Sequence, residues 1–274
     1  MKIFAIAFVL LSMIPVGSLA LLLTHGISGG RWGKELAPVL VPAARAIPLL
    51  FLGFLPVIAF RPLIYDWAAL RLPHDVSTFY LNPLFFDART LIGLGTWSAL
   101  AWGAAWRNNL FAAFGLAAHL IVISFLPADW VLTLAPGSVS AGFGLGFGIE
   151  QMFAALAFVA VLMPQGAGRP NRDVAGLLLT TLLGTVYFLY MQFLITWYGN
   201  IPAKVRWYAL RAGDFWSSVM LVAFIVGAVA PFLAILSPYV RREPHALRVV
   251  GGLALMGIVL HVGWLMMPGN VHGH

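Results

Sequence analysis

LLLTTLLGTVYFLYMQFLITWYGNIPAKVRWY, residues 177–208, joins a membrane span to a proline-stopped, basic exit. From about Val174 to Trp197 the chain is apolar and uncharged. At about 1.5 Å of rise per residue, such a run crosses a hydrocarbon layer of about 30 Å. Thr181, Thr185, Gln192 and Thr196 fall within one sector of that helix roughly 60° wide. Such a polar stripe should face protein or water, because unpaired polar groups in hydrocarbon cost a few kcal/mol each. Either the threonines donate back to carbonyls of their own helix while Gln192 bonds one neighbouring helix, or the stripe belongs to a proton or quinone path. Trp197, Tyr198, Trp207 and Tyr208 bracket a turn containing Gly199, Asn200 and Pro202, as interfacial aromatics flank a breaker. Lys204, Arg206 and Arg211 are then expected in water.

The same character extends over the whole chain. Of its 274 residues 61% are hydrophobic and 9% charged, with mean hydropathy +0.94, whereas soluble domains are about 25% charged. The expectation is an all-α polytopic membrane bundle of about eight transmembrane helices. They are placed at residues 3–23, 39–60, 85–106, 110–126, 143–163, 174–197, 215–236 and 247–267 of a single integral membrane domain spanning 1–274. The net charge of +7 is scattered through short loops, which fits anionic lipid headgroups and gives no basic arm for nucleic acid. The absence of cysteine excludes disulfides, thiolate-held iron–sulfur clusters and a CxxCH haem attachment within this chain.

The first apolar run, Ile3 to Leu23, looks like a secretory signal with GSLA at 17–20 as a cleavage site, but it continues through LLL beyond that site and is read as a retained helix. The second span contains Pro38, Pro42, Pro48 and Pro56 and a single charge, Arg45. A proline-kinked helix is expected. Arg45 either faces the bundle as a buried charge with a partner or snorkels to the interface. Residues 61–84 make the longest loop, an ordered surface segment able to meet another subunit. Asp129 and Trp130 follow Pro127 into an interfacial or partly re-entrant connection. Gly142, Gly144, Gly146 and Gly148 open the fifth helix. No phosphate-loop Lys-Ser/Thr follows them, so they read as small-xxx-small pairs for close helix approach. Glu150 is the one acidic residue expected inside a span.

Three kinds of chemistry are open to these residues. A b-type haem needs facing histidines from two helices, and His119 and His261 are the mid-span pair. Proton movement could use Asp129, Glu150, His119, the stripe of Thr181, Thr185, Gln192 and Thr196, and Tyr187 and Tyr190, although the two tyrosines point about 140° or more away from the stripe. A quinone pocket needs an apolar slot with a carboxylate or histidine and a hydroxyl or amide, and Asp129 with Trp130 at a membrane edge fits that description.

The segment FLYMQFLITWYGNIP at 188–202, followed by RWY and by AVAPFLAILSPYVRR at 228–242, resembles the ActF membrane-subunit family of alternative complex III. That bacterial quinol:cytochrome c oxidoreductase has membrane subunits similar to the NrfD and polysulfide reductase anchors. Further family-like patterns are GGRWGKELAPVLVPAARAIPLL at 29–50, FYLNPLFFDARTLIGLGTW at 79–97 and PADWVLTLAPGSVSAGFG at 127–144. Together they cover most of the chain in the family's order. The resemblance implies a multi-pass subunit of a bacterial inner (cytoplasmic) membrane complex, with cytoplasmic termini and no cofactor of its own. Quinol or quinone would be the complex's substrate. Haem c and iron–sulfur clusters would reside in partners: an NrfD-like paralogue, an iron–sulfur subunit, c-type cytochromes and, further on, a terminal oxidase. The chain is shorter than the usual family member, and the missing part is expected at the amino end. A stand-alone transporter is the main alternative, supported by the proline-broken second span and Arg45. A haem b anchor is a further one. Basic residues divide nearly evenly between the two sides, so charge alone leaves the orientation open.

Overall fold

The structure, a computed structural model, describes residues 1–69, 79–134, 140–162, 169–200 and 202–268. Among these residues the chain is helical throughout and contains no strand. Seven helices are long and apolar enough to cross a membrane, which makes the protein an all-α, multi-pass membrane bundle.

Helix α1 (Lys2–Ser28) is apolar all round and packs against α2 (Trp32–Arg45) and α3 (Leu49–Ala59). A helix without a polar face belongs in a core, and α1, the run that resembles a secretory signal, is the most thoroughly buried of the long spans. The proline-rich second span is broken between α2 and α3 at Ala46–Pro48, where Pro48 has no N–H to continue the ladder. Two single helical turns, Arg61–Ile64 and Asp66–Ala69, follow within the stretch expected to be a loop, the rest of which lies partly outside the described residues.

Helix α4 (Pro83–Trp102) starts from a cap in which Asn82 Oδ1 accepts from Leu84 N at 2.9 Å, with Pro83 at the first helical position. Helix α5 (Asn109–Val131) is capped in the same way by Asn108, whose Oδ1 accepts from Leu110 N at 2.9 Å. Helix α6 (Phe143–Leu162) lies with α1 at the centre, against α5, α7 (Arg169–Gly199) and α11 (Pro244–Met266). The exit after α7 folds as a short helix, α8 (Pro202–Ala209). Then come α9 (Asp214–Phe224), a π-helical turn at Ile225–Val229, α10 (Ala230–Leu236) and finally α11 (Pro244–Met266). The π turn absorbs the misfit created by Pro231, and its Gly227 meets Gly257 of α11 so closely that a Cβ on Gly227 would lie 2.7 Å from the Gly257 Cα.

Several expected boundaries move. The fourth span runs on through Pro127 to Val131, so Asp129 and Trp130 are helical residues and not part of a re-entrant connection. A proline in the last turns of a helix costs one hydrogen bond and need not end it when the flanking residues are packed. Residues 135–139 of that connection lie outside the described residues.

Helix α4 is long enough to cross but is less apolar than the seven, because Asp87 and Arg89 occupy its first turns. The chain ends decide its role. Lys2 Nζ donates to Pro268 O at 3.2 Å, so both ends of the bundle lie on one face. An even number of crossings is then required, and α4 completes the set.

Exposed large apolar residues run along the outer helices, among them Leu49, Leu52 and Leu55 of α3 and Leu183, Phe193 and Ile195 of α7. Such a surface suits hydrocarbon and not water.

A candidate ligand cavity between four helices

Glu150 sits two turns into α6, on the side that faces α7 and α11. Across the interface His261, in the last third of α11, places Nδ1 2.6 Å from Glu150 Oε1, and both side chains are buried. With Nδ1–H donated to the carboxylate, Nε2 is the remaining polar atom of the ring, and it is buried without a partner. Glu150 and His261 are 111 residues apart in the chain.

The pair borders a cavity of about 440 Å³, within the range of about 300–1,000 Å³ for small-molecule sites. Its walls are mainly apolar and aromatic, including Phe147, Phe188, Trp207 and Trp264. The polar residues on its walls are the Glu150–His261 pair, Ser140, Thr185, Tyr187, Gln192 and Thr196, and Lys204 and Tyr208 of α8. Gly146 makes room for the amide, since a Cβ there would lie 3.2 Å from Gln192 Nε2 and 3.0 Å from Phe188 Cβ. A second, smaller void of about 40 Å³ lies beside the same pair, next to Gly227 and Gly257. It has room for about one water molecule.

The cavity lies toward the face that carries the chain ends, at the start of α6 and the ends of α7 and α11. Arg211 closes that end. Its Nη1 donates to Trp207 O at 2.8 Å and its Nη2 to Leu265 O at 2.7 Å, and the guanidinium stacks 3.7 Å from the Trp207 ring centre. It is therefore buried, and not in water as expected. Burial lowers its pKa to about 10. It satisfies carbonyls at the C-terminal end of α11, where the helix dipole favours a cation.

The threonines of the stripe bond within α7. Thr181 Oγ1 donates to Leu177 O at 3.0 Å, Thr185 to Thr181 O at 2.9 Å and Thr196 to Gln192 O at 2.9 Å. Thr185, Gln192 and Thr196 also border the cavity, whereas Thr181 does not. Tyr187 is exposed at the cavity's outer rim, and Tyr190 is exposed away from it.

Asp129 and Trp130, expected beside a quinone, border neither void. Asp129 is fully buried, and Arg89 Nε donates to its Oδ2 at 2.7 Å. Arg89 also donates to Tyr80 O at 3.1 Å and stacks on the Tyr80 ring. Burial, followed by the neighbouring Asp129 carboxylate, pushes the Tyr80 phenol up to about 12. Trp130 Nε1 donates to Thr90 Oγ1 at 3.2 Å, and Tyr65 donates its hydroxyl to Trp130 O at 3.0 Å. The bonds from Arg89 and to Thr90 tie α4 to α5, and the Tyr65 bond ties the segment between the two single turns to α5.

His119 of α5 is buried against Trp97 with ring centres 5.8 Å apart, whereas His261 is engaged with Glu150. The two histidines occupy different helix interfaces and do not face each other as haem ligands would. Arg45 is half-buried at the end of α2, its guanidinium 5.5 Å from the Trp102 ring centre. Its neighbour is an aromatic face, not a carboxylate.

Sequence reasoning singled out Glu150 and His261 for different roles and did not join them. The sequence places Lys204 in water and Trp207 among interfacial aromatics, and it does not single out Trp264. Compared with known protein families and with characterised proteins, the chain matches none.

Proposed function

We propose that this protein is an integral subunit of a quinol:cytochrome c oxidoreductase of the alternative complex III type in a bacterial inner membrane. It contributes helical scaffold and a proton-accepting site, and it carries no redox metal. The observation that supports this reading most is the hydrogen-bonded carboxylate–imidazole pair, Glu150 with His261, on the wall of an apolar cavity inside a membrane bundle. Ionisable pairs inside spans are costly to keep and mark proton or substrate routes. The electrons of the quinol pass to iron–sulfur and c-haem partners, with a terminal oxidase as a further acceptor.

Purification through a tag on this chain in mild detergent tests the proposal, read by mass spectrometry and a reduced-minus-oxidised visible spectrum. Co-purifying c-type cytochromes and an iron–sulfur protein are expected. A colourless chain that emerges alone overturns the reading in favour of a transporter, which the break between α2 and α3 would serve.

A further inference from the structure

We infer that this chain binds one anionic phospholipid in the cavity between α6, α7, α8 and α11, with its phosphate on Lys204 and one acyl chain along α7. The site lies within a single chain and needs none of the partners proposed above.

The cavity is long in the direction of the helices. Its α7 wall runs from Thr185 to Thr196, about 16 Å of helix rise. Its side opens to hydrocarbon past the exposed Tyr187 and Ile195. An extended chain fills such a slot along its length, and Phe147, Phe188 and Leu189 line it with apolar surface.

The polar groups are graded along the same direction. Lys204 of α8 stands at the end that carries the chain ends, half-buried, with no ion-pair or hydrogen-bond partner among the described residues. Inward of it lies the Trp264 indole, whose Nε1–H is buried without an acceptor, almost one helical turn nearer the end of α11 than His261. The Gln192 amide lies over Gly146, one turn before Glu150. A cation, then donors, then an apolar slot is the order of a phospholipid taken from phosphate through ester to chain. The ammonium takes the phosphate in a charge-assisted hydrogen bond, and the indole and amide donate to ester carbonyls.

Charge selects the headgroup. Residues 202–213 carry Lys204, Arg206 and Arg211 and no carboxylate. A net negative head is favoured there over a zwitterionic one, whose own ammonium would meet these cations. Glu150 does not oppose the phosphate, because it lies deeper and is engaged with His261. The imidazole makes no demand on the chain either. Glu150, Thr185 and His261 all border the small void, where one water can bond Nε2.

Native mass spectrometry of the full-length chain released from detergent tests the site, by titration with phosphatidylglycerol and phosphatidylethanolamine of identical acyl chains. One phosphatidylglycerol is expected to bind about tenfold more tightly than phosphatidylethanolamine. Lys204→Gln should remove that preference, the loss of roughly one charge-assisted hydrogen bond. Trp264→Phe, which keeps a flat ring, should weaken both lipids about fivefold, roughly one neutral hydrogen bond. Arg206 does not border the cavity, so Arg206→Gln should leave the preference in place.

Equal falls in preference for Lys204→Gln and Arg206→Gln would assign the binding to diffuse surface charge and overturn the site. Displacement by glycerol phosphate, a head without chains, or equally well by a fatty acid, a chain without the phosphate, would also overturn it. Unchanged binding by Trp264→Phe would take the lipid out of the cavity. Should Trp264→Phe not fold, the comparison of Lys204→Gln with Arg206→Gln decides alone, since neither residue belongs to the core.

Discussion

Asp129 and Glu150 are both buried carboxylates in an apolar bundle, yet their partners give them different work. Asp129 meets an arginine that is itself bonded to Tyr80 and stacked on its ring, an arrangement that ties two helices and borders neither void. Glu150 meets a histidine with one nitrogen left over beside an open cavity. Removing one member of a buried ion pair leaves the other uncompensated, at a cost of about 3 kcal/mol. Asp129→Asn should accordingly lower thermal stability in detergent by about that amount. Arg89→Met combined with Asp129→Leu should recover most of the loss. An unchanged unfolding temperature for Asp129→Asn would show that the pair does not hold α4 to α5. Both carboxylates were visible in the sequence as polar anomalies. Their partners were not, because Arg89 lies 40 residues away and His261 lies 111, and no local pattern encodes which helices become neighbours. Arg211 misled for a related reason: a basic residue after an aromatic exit looks solvated until the carbonyl end of another helix is placed over it.

At the scale of elements, the readable signals were those with a local mechanism. Asn82 and Asn108 cap helices that follow them, and Pro48 breaks the span it occupies. The glycines of α6 were legible as packing residues but not as to which neighbour each one serves. Gly144 faces the α5 backbone, where a Cβ would lie 2.3 Å from Ile123 O, whereas Gly142 has open space around it. Gly144→Ala should therefore destabilise the bundle by about 1–3 kcal/mol through forced separation of α5 and α6. Gly142→Ala, two residues away, should be nearly silent in the same thermal assay. Equal effects at both positions would mean that the cost does not come from the crossing. The π turn at Ile225–Val229 was outside what the sequence announces. Pro231 signals a disturbance, but whether it becomes a kink or a π turn depends on the packing of Gly227 against Gly257.

For the whole molecule, composition alone implied a polytopic bundle, and the spans lie where the apolar runs lie. The weakly apolar α4 is the element whose crossing depends on the contact between Lys2 and Pro268. The chain has no cysteine, so single introduced thiols report topology without background. Ser28→Cys, Arg107→Cys and Tyr239→Cys should react with an impermeant reagent from one side of the membrane, and Ala212→Cys from the other. Reaction of Ser28→Cys together with Ala212→Cys, from the side opposite to Arg107→Cys, would remove α4 from the crossing set and force the chain ends apart.

Tyr187 and Ile195, on the rim of the cavity, stand on the outward surface of a spanning helix and face hydrocarbon. Whatever enters there leaves a two-dimensional fluid and displaces acyl chains. Occupancy is then governed by the guest's mole fraction in the bilayer, not by its molarity in water. Extra detergent dilutes that phase and empties the cavity without altering any contact inside it.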